Sequence, residues 1–278
     1  MSQVDLHLHS TASDGRLSPA EVVAVAAGRG LTTIALTDHD TIGGIAQAVA
    51  AAHTFPDFRM IPGVELSTDA GGEVHVLGYF IDCTSDTLRA RLDKMRNSRR
   101  ERAQAMIERL ADLGVVIEWS RVKEIAGSGS VGRPHLAQAM LEKGYIASFK
   151  EAFTRYIGYG GPAYVERQKV TPVRAVEIVL EAGGLPVLAH PLTGSATEAL
   201  VIELKAAGLV GLEAYYNNYT ADQISDLVSL AKEHNLIATG GSDYHGIDDQ
   251  SETAIGGVEV PLEAAEQLVA LMEQRVSA

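Results

Sequence analysis

The segment Asp5-Leu6-His7-Leu8-His9 sets two imidazoles two residues apart near the start of the chain. In an extended strand alternate side chains share a face, so Val4, Leu6 and Leu8 line one side and His7 and His9 the other. Two neutral imidazoles pointing the same way suit zinc, manganese or iron without distorting the backbone. Taken alone, the pattern equally describes two polar residues on a solvated strand face. Other positions weigh on that choice. Of nine histidines, His7, His9, His39, His75, His190 and His245 fall at the ends of short apolar segments, in company with Asp14, Asp38, Asp40, Glu65 and Asp243. Asp14-Gly15 could be an ordinary turn and His190-Pro191 a strand end. Together, however, so many carboxylates and imidazoles are costly to bury without cations, and the joint pattern predicts a polynuclear metal site.

The elements that must carry these residues alternate between strand and helix patterns. Strand-like runs fall at about 4 to 9, 32 to 37, 60 to 66, 73 to 80, 185 to 190, 209 to 214 and 236 to 241. Ser18-Pro19-Ala20-Glu21 reads as a capped helix start, ended by Gly28 or Gly30; Thr171-Pro172 opens another, closed by Gly183-Gly184. Such alternation implies an α/β fold with a parallel sheet closed into a barrel, functional groups gathering at the strands' C-terminal ends. Seven strands make that barrel irregular, and Asp69-Ala70-Gly71-Gly72 reads as the turn of a hairpin between Glu65 and His75. Residues 86 to 165 break the alternation with helical patterning and read as an insertion. The barrel domain is thus expected over 1–85 and 166–278.

Composition narrows the class. At 278 residues and 46% hydrophobic, the chain can bury a large core, and disorder is not in question. A net charge of -13 argues against broad nonspecific binding to nucleic acid, duplex DNA included, although divalent cations would offset part of it. The single cysteine, Cys83, excludes an intrachain disulfide and reads as a packing residue. The first strand begins within a few residues of Met1, and no apolar run approaches the roughly 20 residues of a membrane span, so a cytoplasmic protein is expected.

The motifs Asp5-Leu6-His7-Leu8-His9-Ser10 with Ser13-Asp14-Gly15, Thr37-Asp38-His39-Asp40, Gly63-Val64-Glu65, His75 with Gly78-Tyr79, Ala189-His190-Pro191 and Gly241-Ser242-Asp243-Tyr244-His245 resemble those of the PHP (polymerase and histidinol phosphatase) family. That resemblance implies a distorted seven-stranded (β/α)7 barrel and up to three divalent ions, usually manganese, with zinc or iron as alternatives. By motif position it implies that His7, His9, Glu65 and Asp243 hold one ion, Glu65, His75 and His190 a second, and Asp14, His39 and His245 a third. Glu65 would bridge, and Asp38 and Asp40 would orient His39. The activity implied is phosphoester hydrolysis by a metal-activated hydroxide. His190, His245 and Asp243 are then the candidate catalytic residues. Either histidine is a candidate to protonate the leaving oxygen, although metal-bound histidines are poor acids and a metal-held water is an alternative donor.

Substrate choice is expected to lie in the insertion. Arg89, Arg91, Lys94, Arg96, Arg99, Arg100 and Arg102 face only Asp93 and Glu101 in the same stretch. This is either a solvated helix face or a clamp for a second phosphate. Gly132-Arg133-Pro134-His135 is a second candidate anion site or a plain helix entry, and Tyr159 a candidate to stack on a base. The candidate substrate-binding residues are therefore Arg99, Arg102, Arg133, His135 and Tyr159. Within the family these segments most resemble stand-alone bacterial phosphoesterases of 3',5'-nucleoside bisphosphates and short 5'-phosphorylated RNA. A nucleotide would be the substrate, with removal of its 3'-phosphate and an extension to short RNA. The alternatives are a histidinol-phosphate phosphatase, which should favour acidic groups at the pocket mouth, and a noncatalytic polymerase-associated module. Amide hydrolysis is disfavoured by the absence of a lysine at a matching strand end.

Overall fold

A computed structural model of the chain describes residues 2–69, 73–127, 129–166, 170–193, 197–247 and 252–277. Its strands are β1 (Val4–Leu8), β2 (Thr33–Leu36), β3 (Arg59–Asp69), β4 (Glu73–Tyr79), β5 (Leu185–Leu188), β6 (Gly211–Tyr216) and β7 (Ile237–Gly241). They stand in chain order in one seven-stranded sheet. β1 and β7 meet across a seam where the Asp243 N–H donates to the His7 carbonyl at 2.9 Å and the His9 N–H to the Tyr244 carbonyl at 3.1 Å. The sheet is therefore a nearly closed barrel, and closure gives both edge strands partners.

Pairing is parallel except around β4, which is antiparallel to both β3 and β5. The β3–β4 pair fits the expected hairpin, the β4–β5 pair departs from the parallel sheet otherwise expected, and together they explain why residue 75 reaches the site at all. His75 sits in the first half of β4, but because β4 runs backwards that half lies at the rim where the parallel strands end. The Asp69↔Glu73 pairing fits the expected hairpin, whose residues 70 to 72 lie outside the described residues. Glu65 is not at a strand end either: β3 continues to Asp69, and Glu65 bridges to His39 beside it.

The helices are α1 (Pro19–Gly28), α2 (Ile45–Ala52), α3 (Asp86–Asp112), α4 (Trp119–Ala126), α5 (Arg133–Glu142), α6 (Phe149–Ala152), α7 (Pro172–Glu181), α8 (Glu198–Ala207), α9 (Ala221–Glu233) and α10 (Leu262–Ser277). α1 begins with the expected capping box, Ser18 accepting from the Glu21 N–H and Glu21 returning to the Ser18 N–H, with Pro19 in the first turn. Thr171 caps α7 in the same way from one side. Val22, Val23 and Ala26 of α1 pack with Ile34 and Leu36 of β2, and Val176 and Val179 of α7 with Val64 and Val76.

The stretch between β4 and α7 is helical, α6 running into a π-helical turn, Phe153–Ile157. It has its own core of Met106, Leu110, Val122, Leu136, Met140 and Ile157. α3 belongs to both layers: Leu88, Leu92 and Met95 join the barrel core, while Ala103, Met106 and Leu110 join the helical one. At about 1.5 Å per residue, its 27 residues are long enough to span the two. Arg99 and Arg102 fall where it passes from one to the other, over the barrel rim. Among the described residues no helix is long and apolar enough to cross a membrane.

Candidate metal centre

Glu65 is fully buried on β3, and five imidazoles of the site stand about its two oxygens. Oε1 lies 2.6 Å from His75 Nδ1 and 3.1 Å from His190 Nε2. Oε2 lies 2.8 Å from His39 Nδ1, 3.2 Å from His9 Nε2 and 3.3 Å from His7 Nε2. Asp243 Oδ1 approaches the same two nitrogens, at 3.2 Å from His7 and 3.0 Å from His9. On the far side of His9, Asp14 stands 3.5 Å from His245 Nε2 and 4.0 Å from both His39 Nε2 and His9 Nδ1.

These atoms are close but poorly aligned for hydrogen bonds. His7 Nε2, both ring nitrogens of His9, His39 Nδ1, Asp14 Oδ1, Glu65 Oε2 and Asp243 Oδ1 are all buried without a hydrogen-bond partner. One such atom costs about 1–3 kcal/mol, so seven converging on one rim need a partner of another kind. Lone pairs aimed at a shared centre are what divalent cations take up, and the donor set of imidazole and carboxylate suits manganese, zinc or iron. Among the described residues three groups have ligand atoms within 4.8 Å of one another: His7, His9, Glu65 and Asp243; His39, Glu65 and His75; and His9, Asp14, His39 and His245. The first matches the expected grouping. In the others His39 sits nearer Glu65 and His75 than expected, and His9 also faces the Asp14 group, while His190 reaches the centre through Glu65.

The electrostatics agree. Burial opposes charge on His9, yet Asp243 and Glu65 outweigh it and raise its pKa to about 10. Burial likewise opposes the His7 charge, overcome by Asp243, Glu213 and Glu65, so its pKa rises well above the usual value. Burial dominates at His39, holding it at about 4 despite Glu65 and Asp14. Glu65 and Asp243 are driven far below the carboxylate range by the surrounding imidazoles, against their own desolvation. Without a cation the carboxylates therefore hold protons on His7 and His9, and binding must release them.

A second layer fixes these groups, and much of it escapes the sequence. Asp38 does not orient His39 as expected: its oxygens accept from the Ser10 N–H at 2.8 Å, the Ser10 hydroxyl at 2.7 Å and the Ser13 hydroxyl at 2.6 Å, tying down the loop after β1. Asp40 accepts from Arg99 Nε at 2.5 Å and the Ser67 N–H at 3.0 Å. Asp5 fastens the seam, accepting from the Ser242 N–H at 2.9 Å and hydroxyl at 2.7 Å and from the Gly256 N–H at 2.8 Å. Glu213 and Tyr216 reach the site from β6, and neither stands in a motif that the spacing exposes. Asp40, His190 and Asp243 adopt positive φ (52°, 23° and 52°), strain that non-glycine residues carry where side-chain direction matters.

A cavity of about 110 Å³ opens beside the cluster, walled by Asp14, His39, His75 and His245 on one side and Arg99, Arg102, Arg133 and Phe153 on the other. The basic run of α3 thus divides. Arg99 and Arg102, one turn apart, are buried against the rim, while Arg91 and Arg96 pair at the surface with Glu181 and Asp93. Arg133 enters over the Phe153 ring, 5.3 Å from its centroid. Two expected substrate residues are placed otherwise. His135 accepts the Gly132 N–H at 2.9 Å through Nδ1, and burial lowers its pKa, so it caps α5 as a neutral ring. Tyr159 is 63% exposed, edge-on to Tyr164, away from the cavity; Phe153, on the π-helical turn, is the aromatic wall. A five-residue insertion-like π turn leaves no spacing signature to find it by.

The PHP domain model matches residues 5–169 of the chain. A 5'-3' exoribonuclease of Haemophilus influenzae is 37% identical over 246 residues, covering 87% of this chain and 89% of its own. A 3',5'-nucleoside bisphosphate phosphatase of Chromobacterium violaceum is 35% identical over 259 residues, covering 88% of each. Among solved structures, a Bifidobacterium adolescentis protein assigned as a metal-dependent phosphoesterase superposes with a TM-score of 0.88 at 25% identity, covering 96% of this chain and 95% of its own. Fold, cluster and relatives agree, and the chain belongs to the PHP-domain family as a metal-dependent phosphoesterase.

Proposed function

We propose that this enzyme removes the 3'-phosphate of nucleoside 3',5'-bisphosphates. The observation that carries the reading is the cavity itself: buried ligand groups on one wall and Arg102 and Arg133 on the other leave space between them scaled to one phosphoryl group. Cations bound at the cluster, which we take to be up to three and manganese in the first instance, would supply Lewis acidity at phosphorus and an acidified water. The nine ligands we propose for them are His7, His9, Asp14, His39, Glu65, His75, His190, Asp243 and His245.

The chain's own residues do the rest. Arg102 and Arg133 hold anionic oxygens opposite the cluster, where a planar guanidinium can engage two at once. Arg99 is committed to Asp40 and to the Ser67 hydroxyl, so it positions the rim and presents charge without forming the clamp. Hydrolysis forms one P–O bond from water, breaks the P–O3' bond and must return a proton to O3'. His245 is held at both ring nitrogens, Nδ1 2.8 Å from the Asp243 carbonyl and Nε2 3.5 Å from Asp14. His190 is held in the same way, one nitrogen 2.8 Å from the Thr193 hydroxyl and Nε2 3.1 Å from Glu65, so both histidines stay candidate donors on this reading. A 5'-phosphate and nucleoside extend outward past Arg102, where α3 and Val165, Glu166 and Val170 border a larger groove. The insertion over 86–165 would on this reading be the substrate-selecting part of the molecule.

The similarity to an exoribonuclease favours a second activity, release of nucleotides from short 5'-phosphorylated RNA. One assay separates these readings. Manganese-loaded protein is given adenosine 3',5'-bisphosphate, histidinol phosphate, 5'-phosphorylated oligoribonucleotide and a generic phosphodiester, with phosphate and nucleotide products followed. Phosphate release from the bisphosphate is expected; preference for histidinol phosphate, or turnover of none of them, would sink the proposal. Mononucleotide release from RNA would establish the second activity beside it.

A further inference from the structure

β6 contributes no residue to the three ligand groups, yet three of the nine proposed ligands rest on it. Glu213 is fully buried behind His7. Its carboxylate lies 3.0 and 3.2 Å from His7 Nδ1 and accepts the His190 backbone N–H at 2.8 Å. Tyr216 donates its hydroxyl to Asp243 Oδ2 at 2.7 Å, while Asp243 Oδ1 faces His7 and His9. In a regular strand residues three apart point to opposite faces. Here β6 is bulged: Glu213 pairs with Thr239 but Tyr215, two residues on, pairs with Gly240, so an extra residue is accommodated at Ala214. The bulge turns Tyr216 to the same side as Glu213. Gly240 permits it, since a Cβ there would stand 2.3 Å from the Tyr215 carbonyl oxygen.

We propose that Glu213 and Tyr216 are the positioning residues of this centre, holding His7, His190 and Asp243 so that their free atoms meet at a divalent cation. A carboxylate only accepts, so the proton that His7 keeps when a cation binds sits on Nδ1, and the Nε2 lone pair freed by binding is turned inward. The Glu213 bond to the His190 N–H fixes a backbone held at positive φ, and with it the direction of that ring. The Tyr216 bond restrains rotation of the Asp243 carboxylate about its own axis. Neither residue lines the cavity beside the cluster.

This inference rests on the metal reading of the site, and its test distinguishes the two. Wild type, Glu213→Gln and Tyr216→Phe are stripped of metal and titrated with manganese and with zinc against a competing chelator, alongside thermal melts of the metal-free proteins. In Glu213→Gln one oxygen becomes an amide NH2 that must oppose either the His7 N–H or the His190 N–H. Affinity is expected to fall about ten- to a hundredfold in Glu213→Gln, and detectably in Tyr216→Phe. In zinc-loaded wild type, long-range ¹H–¹⁵N spectra should show His7 protonated at Nδ1. Wild-type protein that takes up no metal would overturn the metal reading and this inference with it. Wild-type protein that binds while both variants bind equally well, whatever their melting points, would overturn the positioning role alone. So would a His7 proton on Nε2. Should Glu213→Gln not fold, the Tyr216→Phe titration and the wild-type spectrum decide the matter.

Discussion

His9 sits in a strong electrostatic conflict, its burial opposed by two carboxylates. Two carboxylates raise its pKa from 6.5 to about 10 in the absence of a cation. A histidine whose folded pKa exceeds its unfolded one stabilises the fold fully below the unfolded pKa and loses that contribution as pH rises through the folded value. The metal-free protein is therefore expected to melt at falling temperature from about pH 7 towards pH 10, and metal-loaded protein to lack that decline, because the ion has displaced the proton; melts of both forms across the range check this. At the same scale, Asp243→Asn and His75→Ala should abolish phosphate release and lower bound metal, measured by elemental analysis; retained stoichiometry would contradict their assignment as ligands. The two buried arginines should behave differently. Arg102→Ala should mainly raise KM for the doubly phosphorylated substrate, whereas Arg99→Ala should lower kcat and stability together, since it leaves Asp40 buried beside the cluster without its guanidinium. An unchanged KM would argue against a clamp at Arg102.

At the scale of elements, the seam between β1 and β7 sets how close the ligands come. A Cβ on Gly241 would stand 2.5 Å from both the backbone nitrogen and the Cβ of His7, so no side chain can yield to relieve it. Gly241→Ala should therefore push β1 from β7 and cost more stability than the few tenths of a kcal/mol typical of surface changes; metal titration should show weaker binding as His7 moves. Unchanged affinity would mean that the seam does not govern ligand spacing. The motif Asp5-Leu6-His7-Leu8-His9 was legible because strand period and ligand spacing coincide in it. His75 was legible as a ligand type but not by the route it takes, because strand direction depends on which neighbour β4 pairs with. Glu213 and Tyr216 were not legible: a bulge leaves no mark in the alternation of β6, and a glutamate amid Leu212 and Ala214 carries no spacing partner of its own.

On the scale of the whole molecule, a chain with a net charge of -13 concentrates carboxylates and imidazoles on one barrel rim and caps them with a helical layer that supplies arginine. Cations that bind this rim in the folded state and not in the unfolded chain would stabilise the fold by mass action. Free metal at a hundred times its dissociation constant should then stabilise the fold by about 2.7 kcal/mol, read as a rise in Tm that a chelator reverses. A Tm indifferent to chelator would contradict a metal centre built into the barrel. α3 makes the helical layer and the barrel cooperate, since its first half packs into one core and its second half into the other.

Residue types and their short-range spacing were enough to mark the strands, the capped helices and a cluster of candidate ligands, because periodicity and ligand chemistry are local properties; the set of nine ligands was what the family resemblance implied. What only the tertiary structure decided is which atoms share a centre, which of seven basic residues turn inward, and which side chains hold the ligands from behind. Those depend on strand direction, on a one-residue bulge and on where a long helix crosses a rim, and each is settled by packing between segments far apart in the chain. His7 and His9 could be read as a pair from five consecutive residues; that Glu213, 206 residues further on, aims one of them could not.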